Sequence, residues 1–79
     1  MRDMKIVDME RTGENLYHQM KEKNITAHDA MAILGFTTPN PIYKYWRGEC
    51  LPRIDNLVIL SSLLGIKLDD LIATKELEK

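Results

Sequence analysis

Apolar residues recur at helical spacing in five separate stretches of the chain. In the first, Leu16 and Met20 lie four residues apart, which places both side chains on one side of a helix. Thr12 is the predicted N-cap of this helix, and Asn24 follows its end. The five predicted helices cover about 12–23, 26–34, 41–47 and 55–64, with the last beginning near 67 or 68.

The second helix has clear signals at both ends. Thr26 is followed three residues later by Asp29, the spacing of a capping box. Gly35 is suited to the left-handed conformation that often ends a helix. The buried face of this short helix is expected to hold Ala30, Ile33 and Leu34.

The third helix is predicted to begin at a proline. The residue before a proline avoids the α conformation, so Asn40 is the expected cap and Pro41 the first helical residue. Gly48 ends the helix. The inward face is expected to hold Ile42, Tyr45 and Trp46, and the outward face Tyr43, Lys44 and Arg47.

The fourth helix is apolar on more than one side, so it is predicted to be the centre of the core. Asp55 is its expected cap and Gly65 follows its end. Its apolar residues include Leu57, Ile59, Leu60, Leu63 and Leu64. The flanking segments 1–11 and 76–79 are predicted to be a flexible arm and a tail around one domain, 12–75.

Composition narrows the class of protein. The chain has 79 residues, 44% of them hydrophobic, enough for one small core. The predicted fold is all-α, with five helices. A net charge of −1 excludes a uniformly basic nucleic-acid-coating protein, although residues 38–53 carry a local charge of +2. The single Cys50 excludes an internal disulfide and favours a cytoplasmic location, and no apolar run is long enough for a membrane span.

The two short helices at 26–34 and 41–47, joined through Gly35, have the arrangement of a helix-turn-helix. In such a motif the second helix enters the major groove, which is wide enough for one α-helix. We therefore expect double-stranded DNA as partner.

The sequence resembles the phage-repressor, Cro-like (xenobiotic-response-element) helix-turn-helix family over about 12–73. The resemblance rests on the order and spacing of short elements: 21–26, 34–36, 42–45, 47–48, 51–52, 55–57, 64–66 and 68–71. It implies a compact five-helix fold, usually dimeric, that binds operator DNA and regulates transcription. A homodimeric repressor is the expected form, with half-sites about 10 bp apart.

The resemblance also implies contact residues on a recognition helix at about 39–47. Lys44 matches a base-reading position, and lysine can donate to guanine O6 and N7. Asn40 could read adenine or cap the helix. The expected base contacts are Thr38, Asn40, Tyr43 and Lys44, and the expected phosphate contacts are Thr26, Ala27, His28, Arg47 and Arg53.

Three departures from the family pattern keep a second interpretation open. The loop between the paired helices is one residue longer, Ala27 replaces a common glutamine, and Trp46 replaces a common polar residue. The near-neutral charge and the missing glutamine at position 27 favour a protein-interaction module, such as an antitoxin-type partner protein, as the alternative. No catalytic motif is present, so neither an enzyme nor a cofactor is expected. His18, His28 and Cys50 lack metal-ligand spacing, so no metal is expected.

Overall fold

The computed structural model describes residues 4–77, and within them the chain forms five helices and a two-stranded sheet. The fold is mostly helical with five helices, as predicted, but it includes a short sheet, so an all-α fold is not confirmed. In chain order the elements are β1 (Lys5–Val7), α1 (Met9–Glu22), α2 (Ala27–Leu34), α3 (Asn40–Trp46), α4 (Ile54–Leu64), α5 (Leu68–Leu71) and β2 (Thr74–Glu76).

The sheet is an antiparallel ribbon made by the two ends of the described chain, with Ile6 opposite Lys75. Segment 1–11, predicted as a flexible arm, instead contains β1 and the first turn of α1, and the predicted tail begins inside β2. The remaining parts of those two predictions, 1–3 and 78–79, lie outside the described residues.

Helix α1 begins earlier than predicted. Its N-cap is Asp8, whose carboxylate accepts a hydrogen bond from the Arg11 N–H at 3.1 Å. Thr12, the predicted cap, is a buried helical residue. Its hydroxyl donates to the carbonyl of Ala73 at 3.3 Å and accepts from the Ala73 N–H at 2.9 Å. Thr12 therefore fastens the first helix to the segment that leads into β2.

Helix α2 confirms the predicted boundaries and caps. The Thr26 hydroxyl accepts from the Asp29 N–H at 3.1 Å, and the Asp29 carboxylate accepts from the Thr26 N–H at 2.9 Å. Gly35 ends the helix with a φ of 79°. The predicted buried face is wrong for Ile33, which is 48% exposed.

Helix α3 begins at Asn40, so the prediction that Asn40 is the cap is wrong. Pro39 occupies the cap position in an αR conformation, and its carbonyl accepts the first helical bonds, from the N–H groups of Ile42 and Tyr43. Asn40 thus takes the first helical position and Pro41 the second. A proline ring fixes φ near the helical value, so Pro39 can already start the turn.

Helix α4 likewise begins before its predicted cap. Arg53 is at the cap position, and Asp55 lies in the first turn. Leu57, Leu60 and Leu64 are buried as predicted. Ile59 is 39% exposed, so the helix is covered on one side only and is not surrounded by the other helices.

The core lies where the five helices meet, and α2 contributes Ala27 and Ala30 to it. Its most deeply buried side chains are Met20, Ile42, Leu60, Leu64 and Leu71. Trp46 and the other half-buried apolar residues pack around this cluster. None of the helices in the part of the chain that the structure describes is long and apolar enough to cross a membrane.

Candidate nucleic-acid interface

The outward face of α3 carries most of the residues that the sequence predicted to contact bases. Asn40, Tyr43, Lys44 and Arg47 follow one another at the i, i+3, i+4 and i+7 positions, which share one side of a helix. Asn40, Lys44 and Arg47 are exposed and Tyr43 is half-buried. Ile42 and Tyr45 point the opposite way and are buried. The fold thus presents this polar face as one surface.

A glycine in α1 brings α3 close to the body of the protein. A Cβ on Gly13 would lie 2.7 Å from the carbonyl oxygen of Trp46 and would also collide with the carbonyl of Tyr45. Only glycine allows the two helices to approach so closely. The indole N–H of Trp46 also donates to the sulfur of Met20 at 3.3 Å. The C-terminal end of α3 is therefore held firmly on α1.

Three aromatic rings form a surface cluster between α1 and α3. Trp46 packs edge-on against Tyr43, with ring centroids 5.4 Å apart, and against Tyr17, with centroids 5.0 Å apart. Such edge-to-face pairs are a favoured aromatic geometry. Because Tyr43 is held in this cluster, its orientation relative to Lys44 is set by packing. Tyr45, by contrast, lies in the core, where burial raises the pKa of its hydroxyl.

The positive charge of this surface is smaller than its residue count implies. Arg47 forms a hydrogen-bonded ion pair with Glu49, which raises the pKa of Arg47 and lowers the pKa of Glu49. Arg53 lies 3.6 Å from a carboxylate oxygen of Asp55. Within residues 4–77, no carboxylate lies within ion-pair distance of Lys44. Lys44 is thus the cation of this face that has no ion-pair partner among residues 4–77.

The start of α2 meets α3 at a groove of about 490 Å³. Thr26, Ala27 and His28 line it together with Tyr43, so the structure brings these predicted phosphate contacts beside the outward face of α3. The Thr26 hydroxyl is already used in the capping box, whose hydrogen bonds lower the pKa of Asp29. This carboxylate lies in the first turn and weakens the attraction of the helix start for a phosphate.

Two residues of α1 border the same groove and were missed at the sequence level. Tyr17 and Lys21 lie one turn apart, and the Lys21 ammonium is 5.5 Å from the centroid of the Tyr17 ring. This distance is within the range of a cation–π interaction. The sequence contained a signal for them, because Tyr17 and Lys21 directly follow the buried residues Leu16 and Met20 and therefore lie next to the buried face of α1.

The remaining predicted contacts lie at the edges of this surface. Thr38 is exposed in the turn that precedes α3, and Arg53 is exposed at the start of α4. Neither of them lines the groove. Among residues 4–77, no cluster of three His, Cys, Asp or Glu side chains is arranged to hold a metal ion.

Comparison of the chain with protein-family models, with curated proteins and with solved structures gave no match.

Proposed function

We propose that the protein is a sequence-specific DNA-binding transcriptional regulator of the repressor-like helix-turn-helix type. The observation that carries this proposal is the outward face of α3, where Asn40, Tyr43, Lys44 and Arg47 form one polar surface on a short helix preceded by α2. An exposed polar helix of this width fits the major groove.

In the proposed complex, Asn40 and Lys44 read base edges. Asn40 is not a cap, and no hydrogen bond to its side chain occurs within the described residues, so its amide is available for adenine N6 and N7. Lys44 is available for guanine O6 and N7. Thr38 and Tyr43 flank these two residues. The N–H groups of Ala27 and His28 would receive a phosphate, with Arg47 and Arg53 contributing to backbone binding.

The weak charge of this surface makes a homodimer the proposed binding form. Each phosphate contact adds salt-dependent affinity through release of counterions, and here two of the candidate cations have acidic neighbours. Two linked recognition helices would double the number of contacts. Cytoplasmic localisation belongs to the same proposal.

The test is a binding titration with a duplex fragment from the upstream region of the protein's own gene at two salt concentrations. We expect saturable binding that weakens with salt. Replacing Lys44 by alanine is expected to reduce affinity for the preferred sequence by about 1–3 kcal/mol, the value of one good base contact.

The matched control is Lys67→Ala, which removes the same charge from an exposed position at the start of α5. It should bind as the wild type does. Absence of binding at low salt, or equal losses in the two variants, would show that α3 does not read DNA.

A second candidate function is a protein-interaction module, and one observation favours it. Ile54 and Val58 are 78% and 49% exposed, and they lie one turn apart on α4. Large exposed apolar side chains at this spacing suit a helical or apolar partner. If this function holds, Ile54→Ser and Val58→Ser should abolish binding of a co-purifying protein, while Lys44→Ala leaves it intact.

A further inference from the structure

The ribbon has one strand edge that is suited to pairing with another chain. In the ribbon the Asp8 N–H donates to the Ala73 carbonyl at 2.8 Å, and the Leu77 N–H donates to the Met4 carbonyl at 2.7 Å. Backbone groups alternate in direction along an antiparallel strand. Positions 4, 6 and 8 therefore bond to β2, and Lys5 and Val7 direct their N–H and C=O groups away from it.

These outward groups have no strand beside them in the part of the chain that the structure describes. The sheet has two strands, in the order β1–β2, and all three residues of β1 are exposed. A row of unpaired N–H and C=O groups on an exposed strand is a template for another strand. An isolated two-stranded ribbon is also only marginally stable in water, and added strands stabilise it.

We propose that β1 pairs with β1 of a second copy of this chain, which makes a continuous four-stranded antiparallel sheet. The directions of the free backbone groups fix the register. Lys5 forms the hydrogen-bonded pair with Val7 of the partner subunit, and Ile6 lies opposite Ile6 of the partner subunit. The two isoleucines then form a non-hydrogen-bonded pair, the type in which facing side chains are closest.

Charge selects β1 over β2 as the pairing edge. On β2 the outward groups belong to Thr74 and Glu76, so the equivalent symmetric pairing would place Lys75 opposite Lys75 of the partner subunit. Like charges directly opposite each other destabilise a sheet, and a lysine at this position protects an edge from pairing. On β1 the central position is Ile6, and Lys5 faces an apolar residue.

The same pairing joins two small apolar surfaces. Met4, Ile6 and Leu77 lie on one face of the ribbon, because Met4 is bonded to Leu77 and Ile6 is two positions further on. They are 62%, 38% and 45% exposed. A twofold axis perpendicular to the sheet places the corresponding face of the partner beside them. Pairing thus places Ile6 beside Ile6 of the partner subunit, with Met4 on the diagonal, and Lys75, which is opposite Ile6 within each ribbon, lies on the same side of the sheet.

This inference names the contact that would form the proposed homodimer, but it does not rest on DNA binding. The dimer is tested without DNA, so failure of the dimer and failure of DNA recognition give different results.

The first test is the mass of the full chain in solution, measured by sedimentation equilibrium over a range of concentrations. The wild type should reach twice the chain mass of 9.2 kDa. Ile6→Glu should remain at the monomer mass, because two carboxylates would then face each other across the twofold axis. Within its own ribbon the new glutamate would face Lys75, so the ribbon itself should persist. Thr74→Glu, which adds the same charge at an exposed position of β2, is the control and should dimerise as the wild type does.

The second test places a thiol at the centre of the proposed contact. In a Cys50→Ser background, Ile6→Cys should form a disulfide-linked dimer on mild oxidation, because non-hydrogen-bonded partners have Cα atoms about 4.5 Å apart, within disulfide range. Thr74→Cys in the same background, on the neighbouring strand, should remain reduced. A wild type that is monomeric up to millimolar concentration, or equal crosslinking at positions 6 and 74, would overturn the proposal.

Discussion

Gly13 of α1 lies directly beneath the carbonyl of Trp46 in α3, and a Cβ at position 13 would be 2.7 Å from that oxygen. Glycine within a helix costs about 1 kcal/mol relative to alanine. Gly13 is thus unfavourable for α1 alone. The close approach of α3 explains why this position is a glycine. The position of the candidate recognition helix depends on this contact.

Replacing Gly13 by alanine should therefore destabilise the protein, despite the gain in helix propensity. The obstructing atoms belong to the backbone and cannot rotate away, so we expect a net loss of about 1–3 kcal/mol, as in other overpacked sites. Urea unfolding measures the change. Glu14→Ala, at the next and exposed position, is the control and should change stability by no more than about 0.5 kcal/mol. A stabilised Gly13→Ala variant would contradict the close approach.

The buried hydroxyl of Thr12 gives a second prediction. Thr12→Val keeps the side-chain shape but removes both hydrogen bonds to Ala73. The backbone groups of Ala73 would lose a partner in a part-buried site, which costs about 1–3 kcal/mol. Thr37→Val, at an exposed position, should be nearly neutral in the same thermal unfolding experiment. Equal effects at the two positions would mean that Thr12 does not fasten the ribbon to α1.

The capping box of α2 predicts a specific dependence on pH. Hydrogen bonds from Thr26 lower the pKa of Asp29 below its usual value of 3.8. A lowered pKa in the folded state adds stability above the unfolded value, and this stability is lost as the pH falls through the folded value. Asp29→Asn should therefore be less stable than the wild type at neutral pH, and the difference should shrink below pH 3.8.

Melting temperatures of the wild type and Asp29→Asn, measured at steps from neutral pH downward, check this dependence. Thr26→Ser preserves the hydroxyl and should follow the wild-type profile. A stability difference that stays constant on acidification would show that the ionised carboxylate does not stabilise the cap.

The ion pair between Arg47 and Glu49 predicts a variant that binds DNA better, if the proposed function is correct. Glu49→Gln removes the carboxylate that holds Arg47, so the guanidinium becomes available for a phosphate. We expect tighter binding at low salt and a salt dependence steeper by about one counterion. Asp69→Asn, on α5, makes the same change in net charge and should leave the slope unchanged.

Local signals predicted the two short helices α2 and α3 well. The boundaries of α2 follow from Thr26, Asp29 and Gly35, whose effects act within one or two turns. The start of α3 was misplaced because Asn40 is helical although it precedes Pro41, against the preference of residues before proline, and Pro39 starts the turn one residue earlier. The outward face of α3 was predicted from spacing alone, and its residues do share one surface.

The ribbon and its attachment could not be predicted in the same way. Each strand has three residues, too few for an alternating pattern, and the pairing joins opposite ends of the chain. The role of Gly13 depends on the carbonyls of a separate helix, and rules based on local sequence cannot predict such a contact. The ion pairs of Arg47 with Glu49 and of Arg53 with Asp55 likewise depend on side-chain positions that only the fold specifies.

The hydrogen bonds between Thr12 and Ala73 span 61 positions of sequence, and this has a consequence for the order of folding. Closing so long a loop costs conformational entropy, and this cost comes before the contact can stabilise the protein. The helices between Thr12 and Ala73 can form early, and the ribbon is expected to form last. A chain that has not finished folding therefore has no assembled ribbon. Any partner that recognises the ribbon then binds only fully folded chains.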